Sequence, residues 1–447
     1  MPDRYNAYRE IIDKQPMCDT HEHIVEESQR LQPNERRDFT VLVDSYYAQD
    51  DLMVSGLDVK GRDLLLRTDV DPKDKWKIIA EPWNRCRHTG YMHGVRESLR
   101  ILCGEDDLHA GNVQSVSDQI AEMIKPGYYR HILKDICNID HCQVNSLNHD
   151  TPIFRDYCEM PDLLCQDINL LYLSTWLDID SISKQIDKNV TTLTDWHEVI
   201  DWAFAKYGPR AIGAKSKTAY TRSLDFADVP AEAAALPFHI SRDPFSEGKG
   251  HKRPSGVDVH DQKLIEDHLF HYCVKKCIEY DLPVKFHTGY YVSWKSLNLR
   301  RIRDNVVDLC DLFQTYPEGK FVLLHVNYPY MDDVIAAVKH HHNVWVDMAW
   351  TWVVNPHACV QFFKDFVKCA PINKLLIFGA DFNQVELVPG EAAMTRHGLA
   401  LALSELVDEG WLADKEVPDI IERVMYRNAH ELYDYKGTLK NWDGFGG

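Results

Sequence analysis

Several features that define other classes of protein are missing from this 447-residue sequence. No run of 18 apolar residues is present, so no membrane-spanning helix is predicted. Residues 1–14 alternate charged and apolar side chains without the apolar core of a signal peptide, and the twelve cysteines include no CxxC pair. We therefore expect a cytoplasmic protein with free thiols and no disulfide framework.

Basic residues are scarce relative to acidic ones. There are 50 lysines and arginines against 69 aspartates and glutamates, which gives a formal net charge of −19. Such a charge disfavours nucleic acid or an anionic membrane as a partner, although arginines in a pocket can still bind a small anion. The GxGxxG, Walker, GxSxG and HExxH motifs are also absent. We expect a small-molecule substrate, and we expect a homo-oligomer whose Trp- and Tyr-rich segments supply the contacts.

Strand-like and helix-like segments alternate regularly from residue 283 onward. Counted from His21, eight strand-like segments occur: one that contains His21 and His23, then Cys137–Leu147, Ile168–Trp176, Ala211–Tyr220, Pro283–His287, Phe321–His325, Asn343–Met348 and Leu375–Asp381. This alternation is typical of a parallel sheet, and eight such units close into a (β/α)8 TIM-like barrel. A chain of this length fits one barrel with insertions.

Two long segments interrupt the pattern. Residues 30–135 read as helical with no strand-like run, so we interpret them as a helical insertion or cap after the first strand. The barrel domain then comprises residues 1–29 and 136–447. Residues 223–260 are rich in Pro, Gly, Asp and Ser and predict a long loop, which in a compact domain is usually functional.

The clearest chemical signal is the pair His21 and His23 at the end of the first strand. Residues i and i+2 of a strand point to the same side, so the two imidazoles are expected to project together. Neutral imidazoles are good ligands for a divalent cation such as Zn²⁺. Together they predict half of a metal site.

Three later strands end in residues that would complete this site. His287, His325 and Asp381 each follow an apolar run, and barrel enzymes carry their catalytic groups at the carboxyl ends of strands. We predict His21, His23, His287 and Asp381 as metal ligands. Asp381 is also the candidate general base, and His325 is the candidate catalytic residue that orients water or polarises the substrate.

One cation is favoured, and two stay possible. A second ion needs a bridging anion, often a carboxylated lysine, and Lys215 and Lys217 on the fourth strand are both candidates to face the interior. Without a second ion, each lysine is expected to bind substrate or form a salt bridge. The predicted substrate-binding residues follow strand ends: Lys215, Tyr220, Arg222, Tyr290, Asn327, Trp350 and Asn383.

Five short motifs resemble those of the amidohydrolase superfamily: Asp19–His23, Phe286–Gly289, Leu324–Pro329, Phe378–Asp381 and Arg427–Tyr433. The resemblance covers residues 16–25 and 283–433. It implies a distorted (β/α)8 barrel with a divalent metal at its mouth, and the branch of metal-dependent hydrolases and acid decarboxylases looks nearest. Ala380 stands where the family usually has serine, which should not affect metal binding.

The resemblance leaves three reactions open. Hydrolysis of a small, carboxylate-bearing substrate by metal-activated water leads, and decarboxylation of a small organic acid is the first alternative. Uronate isomerisation is the second, because residues 75–108 are similar to the insertion of uronate isomerases. A histidine ligand on the fifth strand, as His287 would be, fits the hydrolase and decarboxylase branches better. A metal-free binding protein with the same barrel ranks last.

Overall fold

A computed structural model describes residues 2–43, 45–145, 153–175, 177, 179–240, 259–292 and 297–442. The strands are β1 Met17–Glu22, β2 Ile139–Val144, β3 Leu164–Asn169, β4 Ala211–Ser216, β5 Val284–His287, β6 Phe321–Leu324, β7 Val344–Asp347 and β8 Leu375–Leu376. All neighbouring pairs are parallel, in the order β1 to β8. The predicted (β/α)8 barrel is confirmed.

Backbone hydrogen bonds between the first and last strand segments complete the barrel. The amide of Thr20 donates to the carbonyl of Phe378 at 3.1 Å, and the amide of Asp381 donates to the carbonyl of His21 at 2.9 Å. These bonds continue beyond the short β8, so they bring the chain around Asp381 directly beside the first strand. The closure therefore positions two of the predicted ligand segments together.

Helices surround the barrel and fill the segments between strands. The α-helices are Pro2–Lys14, Glu27–Arg30, Thr40–Val43, Tyr46–Val54, Val59–Leu65, Pro72–Cys86, Gly90–Cys103, Val113–Met123, Tyr128–Arg130, Leu171–Ser174, Ile179–Ile186, Leu193–Tyr207, Ala231–Ile240, Val259–Glu279, Leu299–Arg303, Asn305–Thr315, Met331–His340, Thr351–Val354, Pro356–Cys369, Val388–Asp408, Val417–Glu422, Asn428–Leu432 and Tyr435–Lys440. Two π-helical turns, His131–Ile136 and Arg423–Arg427, and several short 3₁₀ turns connect them. None of the described helices is long and apolar enough to cross a membrane.

The described residues of the segment 30–135 form helices joined by loops and contain no strand, as predicted. Its helix Gly90–Cys103 packs on the last long barrel helix, Val388–Asp408. A Cβ atom added to Gly390 would lie 2.0 Å from the carbonyl oxygen of Gly94. Only glycine permits this backbone approach, so the two helices lie in direct contact beside the carboxyl ends of the strands.

Three predictions of elements were wrong in detail. The third strand lies at Leu164–Asn169, and Leu171–Ser174 within the predicted strand is helical. In the predicted loop 223–260, Ala231–Ile240 forms a helix in spite of Pro237, because Ala234 and Phe238 bury one face; residues 241–258 lie outside the described residues. Residues 299–315 form two helices that meet at Asp304.

The amino end of the barrel is closed by a small apolar cluster. Ala429, Leu432 and Tyr433 from the C-terminal region pack against strand residues that include Cys18 and Val322. All twelve cysteines are unpaired, as predicted. Most other buried apolar side chains of the described residues form one continuous core between the strands and the surrounding helices.

Candidate metal centre

His21, His23 and Asp381 converge at the carboxyl end of the barrel. The Nε2 atoms of His21 and His23 lie 3.3 Å and 3.1 Å from Oδ1 of Asp381, and one potential ligand atom from each residue lies within 4.8 Å of the others. All three side chains are buried. The structure therefore brings together three of the four predicted metal ligands.

The orientation of these imidazoles fits a bound cation. Nδ1 of His23 lies 2.6 Å from the carbonyl oxygen of Asn145, which can only accept, so Nδ1 carries the proton. Nε2 then presents a lone pair to the carboxylate of Asp381. Two acceptors at 3.1 Å repel each other unless a proton or a cation lies between them. Burial lowers the pKa of His23, which disfavours the proton.

The other groups of the site agree with this interpretation. Burial lowers the pKa of His21 well below its usual value, and its Nδ1 is buried without a hydrogen-bond partner. The carboxyl group of Asp381 is buried against both imidazoles. Neutral histidines around an ionised carboxylate form a donor set that suits a divalent cation.

His325 lies against the same carboxylate. Its Nδ1 donates to the carbonyl of Ala349 at 3.0 Å, so Nε2 presents its lone pair 3.8 Å from Oδ2 of Asp381. This Nε2 is buried and has no hydrogen-bond partner, and burial lowers the pKa of His325 to about 4. His325 is therefore a neutral acceptor beside Asp381.

His287 is placed differently from the other predicted ligands. Its Nε2 donates to the carbonyl of Tyr290 at 2.8 Å, and its ring centre lies 4.4 Å from that of His325. Only Nδ1 of His287 is left with a lone pair. Its role as a ligand stays a prediction, while the compact group is formed by His21, His23 and Asp381.

Two buried carboxylates hold the first and last strand segments in register. Oδ1 of Asp19 accepts from the amides of His21 and Ala380, both at 3.3 Å. Oε2 of Glu22 accepts from the amides of His23 and Phe382 at 3.0 Å and 2.9 Å. Burial raises the pKa of Asp19 to about 8. These bonds fix the backbone on both sides of the site.

Left-handed backbone conformations occur where three strands end. His325, Val326 and Asn327 have φ values of 66°, 45° and 52°, Trp350 has 64° and Asp381 has 58°. Such a conformation costs about 1–2 kcal/mol for a residue with a side chain. In folded proteins it concentrates at functional sites, where it directs side chains that a relaxed backbone would place elsewhere.

Both predicted lysines of the fourth strand segment face the site. Nζ of Lys215 lies 3.3 Å from Nε2 of His21, and burial lowers the pKa of Lys215 well below its usual value. Lys217 is buried, its Nζ has no hydrogen-bond partner, and burial lowers its pKa to about 7. The burial of both side chains agrees with the interior orientation predicted for them.

Arg222 does not face the site as expected. Its Nε donates to Glu266 at 2.7 Å, its Nη2 bonds Asp267, and its Nη1 donates to the carbonyl of Ser223. Two carboxylates from the helix Val259–Glu279 thus engage the guanidinium. This pairing argues against the expected role in binding a substrate carboxylate.

The other predicted substrate-binding residues surround the histidines to different degrees. The ring of Tyr220 lies 4.6 Å from that of His287, and the ring of Trp350 lies 5.2 Å from that of His325. Tyr290 contacts His287 through its carbonyl group. The buried Asn327 donates to the carbonyl of Tyr330 and leaves its Oδ1 without a partner, whereas Asn383 is half-buried.

Tyr47 is a residue of the site that the sequence analysis missed. It lies on the helix Tyr46–Val54 of the segment 30–135, and its hydroxyl donates to Oδ2 of Asp381. Its ring stacks on Trp350 with centres 4.3 Å apart. The helical segment therefore contributes a side chain to the site, and no local sequence signal marks this one tyrosine among 21.

A second group of potential ligands lies at the opposite, amino end of the barrel. It consists of Cys18, Asp140, His141 and His430, which we call the amino-end cluster. Nδ1 of His141 and Nε2 of His430 each lie 2.9 Å from Oδ2 of Asp140. The orientation of the imidazoles in this cluster differs from that at the carboxyl end.

Comparison with known proteins shows a sequence family that is similar to part of this chain. The sequence profile of the family described as Amidohydrolase matches residues 251–435, which include His287, His325 and Asp381. Residues 251–435 are therefore similar to the amidohydrolase family, which confirms the resemblance seen in the sequence motifs. This family implies an enzyme with a divalent metal. No curated protein matches the chain in a sequence comparison.

Solved structures share the whole fold at low sequence identity. A uronate isomerase from Thermotoga maritima has a TM-score of 0.74 at 13% identity, over 96% of this chain and 97% of the other. A glucuronate isomerase from Caulobacter crescentus has a TM-score of 0.74 at 15% identity, over 97% and 94%. A Lactobacillus casei protein, named for an inferred metal-dependent hydrolase activity, has a TM-score of 0.65 at 16% identity, over 96% and 98%. At these identities the similarity shows the fold alone.

Proposed function

We propose that this protein is a hydrolase of the amidohydrolase superfamily that uses one divalent cation, Zn²⁺, on a small substrate bearing a carboxylate. The observation that carries the proposal is the convergence of His21, His23 and Asp381, with an imidazole lone pair turned toward the carboxylate. A cation held by these three residues would act as a Lewis acid toward the substrate and lower the pKa of a water molecule. Two histidines and a carboxylate are a donor set typical of zinc.

Asp381 is placed to accept the proton of the attacking water. Its carboxylate is buried and ionised, and the hydroxyl of Tyr47 donates to its Oδ2. His325 is neutral, and its Nε2 can accept a hydrogen bond from water or from a substrate hydroxyl beside Asp381. Asp381 thus accepts the proton, and His325 positions the water or the substrate.

Uronate isomerisation is the second candidate, and one observation favours it. The preference for hydrolysis over isomerisation depended on His287 as a ligand, but its Nε2 is engaged by the carbonyl of Tyr290. The two isomerases with a TM-score of 0.74 also cover nearly the whole chain, including the helical segment 30–135. Moving a proton between adjacent carbons needs a base, and Asp381 and His325 can again supply it.

The proposal is tested with purified protein whose metal content has been measured. The protein is incubated with amides, lactones, small carboxylic acids and uronates, while released acid or amine, carbon dioxide and ketose are measured. Release of acid or amine supports hydrolysis. Ketose from a uronate supports isomerisation, and carbon dioxide supports the decarboxylase alternative from the sequence.

The same panel applied to Asp381→Asn serves as the control. A product formed by the natural chain and absent from this variant assigns the reaction to the site. A chain that carries one cation and forms none of these products would contradict the proposal. Cytoplasmic location and homo-oligomerisation stay predictions from the sequence.

A further inference from the structure

Lys217 has a buried amino group without a bonded counter-ion. It follows β4, its side chain is 9% exposed, and its Nζ has no hydrogen-bond partner. No carboxylate among the described residues lies within 4.0 Å of its Nζ, whereas the buried Lys285 has an ion pair with Asp167 at 2.9 Å. An isolated buried charge is costly unless another group neutralises it. The pairing of Lys285 shows how this chain neutralises a buried ammonium group elsewhere.

Asn145 is a second buried polar group whose side chain lacks partners. It follows β2 and is completely buried, and neither its Oδ1 nor its Nδ2 has a hydrogen-bond partner. Its backbone is fully used, because the amide donates to the carbonyl of Glu22 at 2.8 Å and its carbonyl accepts from His23. Buried side-chain amides normally have partners, so an unpaired one beside a candidate active site indicates a ligand.

Both groups lie near the ring of His23. The backbone of Asn145 holds the ring of His23, and the charge of Lys217 acts on that ring from the β4 side. The proton acceptor Asp381 contacts the opposite nitrogen of this ring, because its Oδ1 lies 3.1 Å from Nε2 of His23, and Nε2 of His325 lies 3.8 Å from its Oδ2. The ring of His23 therefore lies between the backbone of Asn145 and the proton acceptors.

The donors match a carboxylate. We propose that Lys217 and the side-chain amide of Asn145 bind the carboxylate group of the substrate beside His23. The ammonium group supplies the charge, and the amide Nδ2 supplies a second hydrogen bond. This assignment rests on the proposed function for the site and adds the group that selects the substrate. Lys217 and Asn145 take the role predicted for Arg222, whose guanidinium is engaged by Glu266 and Asp267.

Lys215 is less suited to bind the substrate carboxylate. Its Nζ lies 3.3 Å from Nε2 of His21, a predicted metal ligand, so an anion bound to Lys215 would contact the metal site itself. Lys217 has no such contact. Of the two lysines of the fourth strand segment, Lys217 is thus the one that is available to a substrate anion.

The experiment measures binding of carboxylates and of uncharged analogues. Glycolate, glutarate and glucuronate are compared with ethylene glycol, 1,5-pentanediol and glucose by calorimetry, with the protein as purified and after removal of metal by a chelator. We expect at least one acid to bind the natural chain in both states and its uncharged analogue to bind much more weakly. Measurement without metal separates this site from direct coordination of the acid by a cation.

Lys217→Met is expected to raise the dissociation constant of that acid by about 10- to 100-fold, because a hydrogen bond to a charged group is lost. Asn145→Ala tests the amide independently, and Lys217→Arg should restore part of the affinity. Lys73→Met is the matched control, because this exposed lysine lies in the first turn of the helix Pro72–Cys86. Circular dichroism and metal content verify that each variant is folded.

Three results would overturn the inference. They are failure of all three acids to bind the natural chain, unchanged affinity in both Lys217→Met and Asn145→Ala, and equal binding of acids and uncharged analogues. These results are independent of the reaction. If the acids bind through Lys217 while no product forms in the substrate panel, the proposed function fails and the carboxylate site stands.

Discussion

The two ends of the barrel hold similar residues in opposite hydrogen-bonding states. At the carboxyl end, Nδ1 of His23 and of His325 donates to a backbone carbonyl, so their Nε2 lone pairs face Asp381. In the amino-end cluster, N–H groups of His141 and His430 face Asp140. The imidazoles beside Asp381 present acceptors, whereas those beside Asp140 present donors.

The side chain of Gln143 determines which nitrogen of His141 carries the proton in the amino-end cluster. Oε1 of Gln143 accepts from Lys285 at 2.7 Å, so its amide nitrogen faces Nε2 of His141 at 3.2 Å. His141 must therefore carry its proton on Nδ1, which donates to Asp140 at 2.9 Å. This carboxylate is already satisfied by donors. The comparison shows that residue types and spacing alone do not identify a metal site, because the tautomers decide whether a cation is needed.

The largest effect is expected from removing each carboxylate in turn and measuring metal. Asp381→Asn should lose most of its bound cation and reduce turnover by about 10²–10⁴-fold or more, because it removes both a ligand and a proton acceptor. Asp140→Asn should retain the metal stoichiometry of the natural chain. Elemental analysis of the two purified variants checks both statements. A cation lost from Asp140→Asn and kept in Asp381→Asn would reverse the comparison.

The second prediction concerns stability. Asp140→Asn should lower the free energy of unfolding by about 2–3 kcal/mol, because it replaces an ionised acceptor of two N–H groups. Burial alone would raise the pKa of Asp140, but the donors His141 and His430 hold it well below its usual range. Its stabilisation is therefore present above the unfolded pKa of about 3.9 and is lost as the pH falls through the lower folded value.

Urea unfolding of the natural chain and of Asp140→Asn between pH 3 and pH 7 measures this contribution. The difference between the two chains should be constant at neutral pH and shrink on the acid side. A difference that is already absent at pH 7 would show that the amino-end cluster contributes nothing to stability. A difference that grows as the pH falls would contradict the sign.

The smallest effect is expected where the helical segment meets the site. Tyr47→Phe removes the hydroxyl that donates to Asp381 while keeping the ring that stacks on Trp350. We expect kcat to fall about tenfold, which corresponds to ~1.4 kcal/mol, with unchanged metal content. Tyr91→Phe is the matched control, because Tyr91 stacks on the same tryptophan with centres 6.2 Å apart. Equal losses in both variants would indicate a packing effect only.

The parts of the site that lie at strand ends were predictable from the sequence. His21, His23 and Asp381 follow apolar runs, and the geometry of a parallel barrel brings such positions together without knowledge of any loop. The eight strands could be counted for the same reason. The third strand was misplaced because Gln166, Asp167 and Asn169 make the strand Leu164–Asn169 look polar, whereas the helix Leu171–Ser174 that follows is more apolar. A short apolar run does not distinguish strand from helix.

The parts that depend on packing between distant segments were not predictable. Tyr47 reaches Asp381 only because its helix docks on the barrel, and Arg222 is engaged by two carboxylates that follow it by more than 40 residues. The tautomers of His23 and His141 depend on one carbonyl and one glutamine from neighbouring segments. Hydrogen-bond partners of this kind are properties of the fold, and no residue pattern contains them.

The left-handed backbone at the mouth has a consequence for how this protein can change. Val326 and Trp350, at φ 45° and 64°, stand where glycine or asparagine would relax the chain. Both side chains are buried, and the ring of Trp350 stacks on Tyr47 and Tyr91. Replacing a buried tryptophan by a small residue costs about 3–5 kcal/mol, which exceeds the strain that the replacement would relieve. Heat resistance is therefore not gained by relaxing this turn, because the side chain that occupies the strained position also supplies its packing.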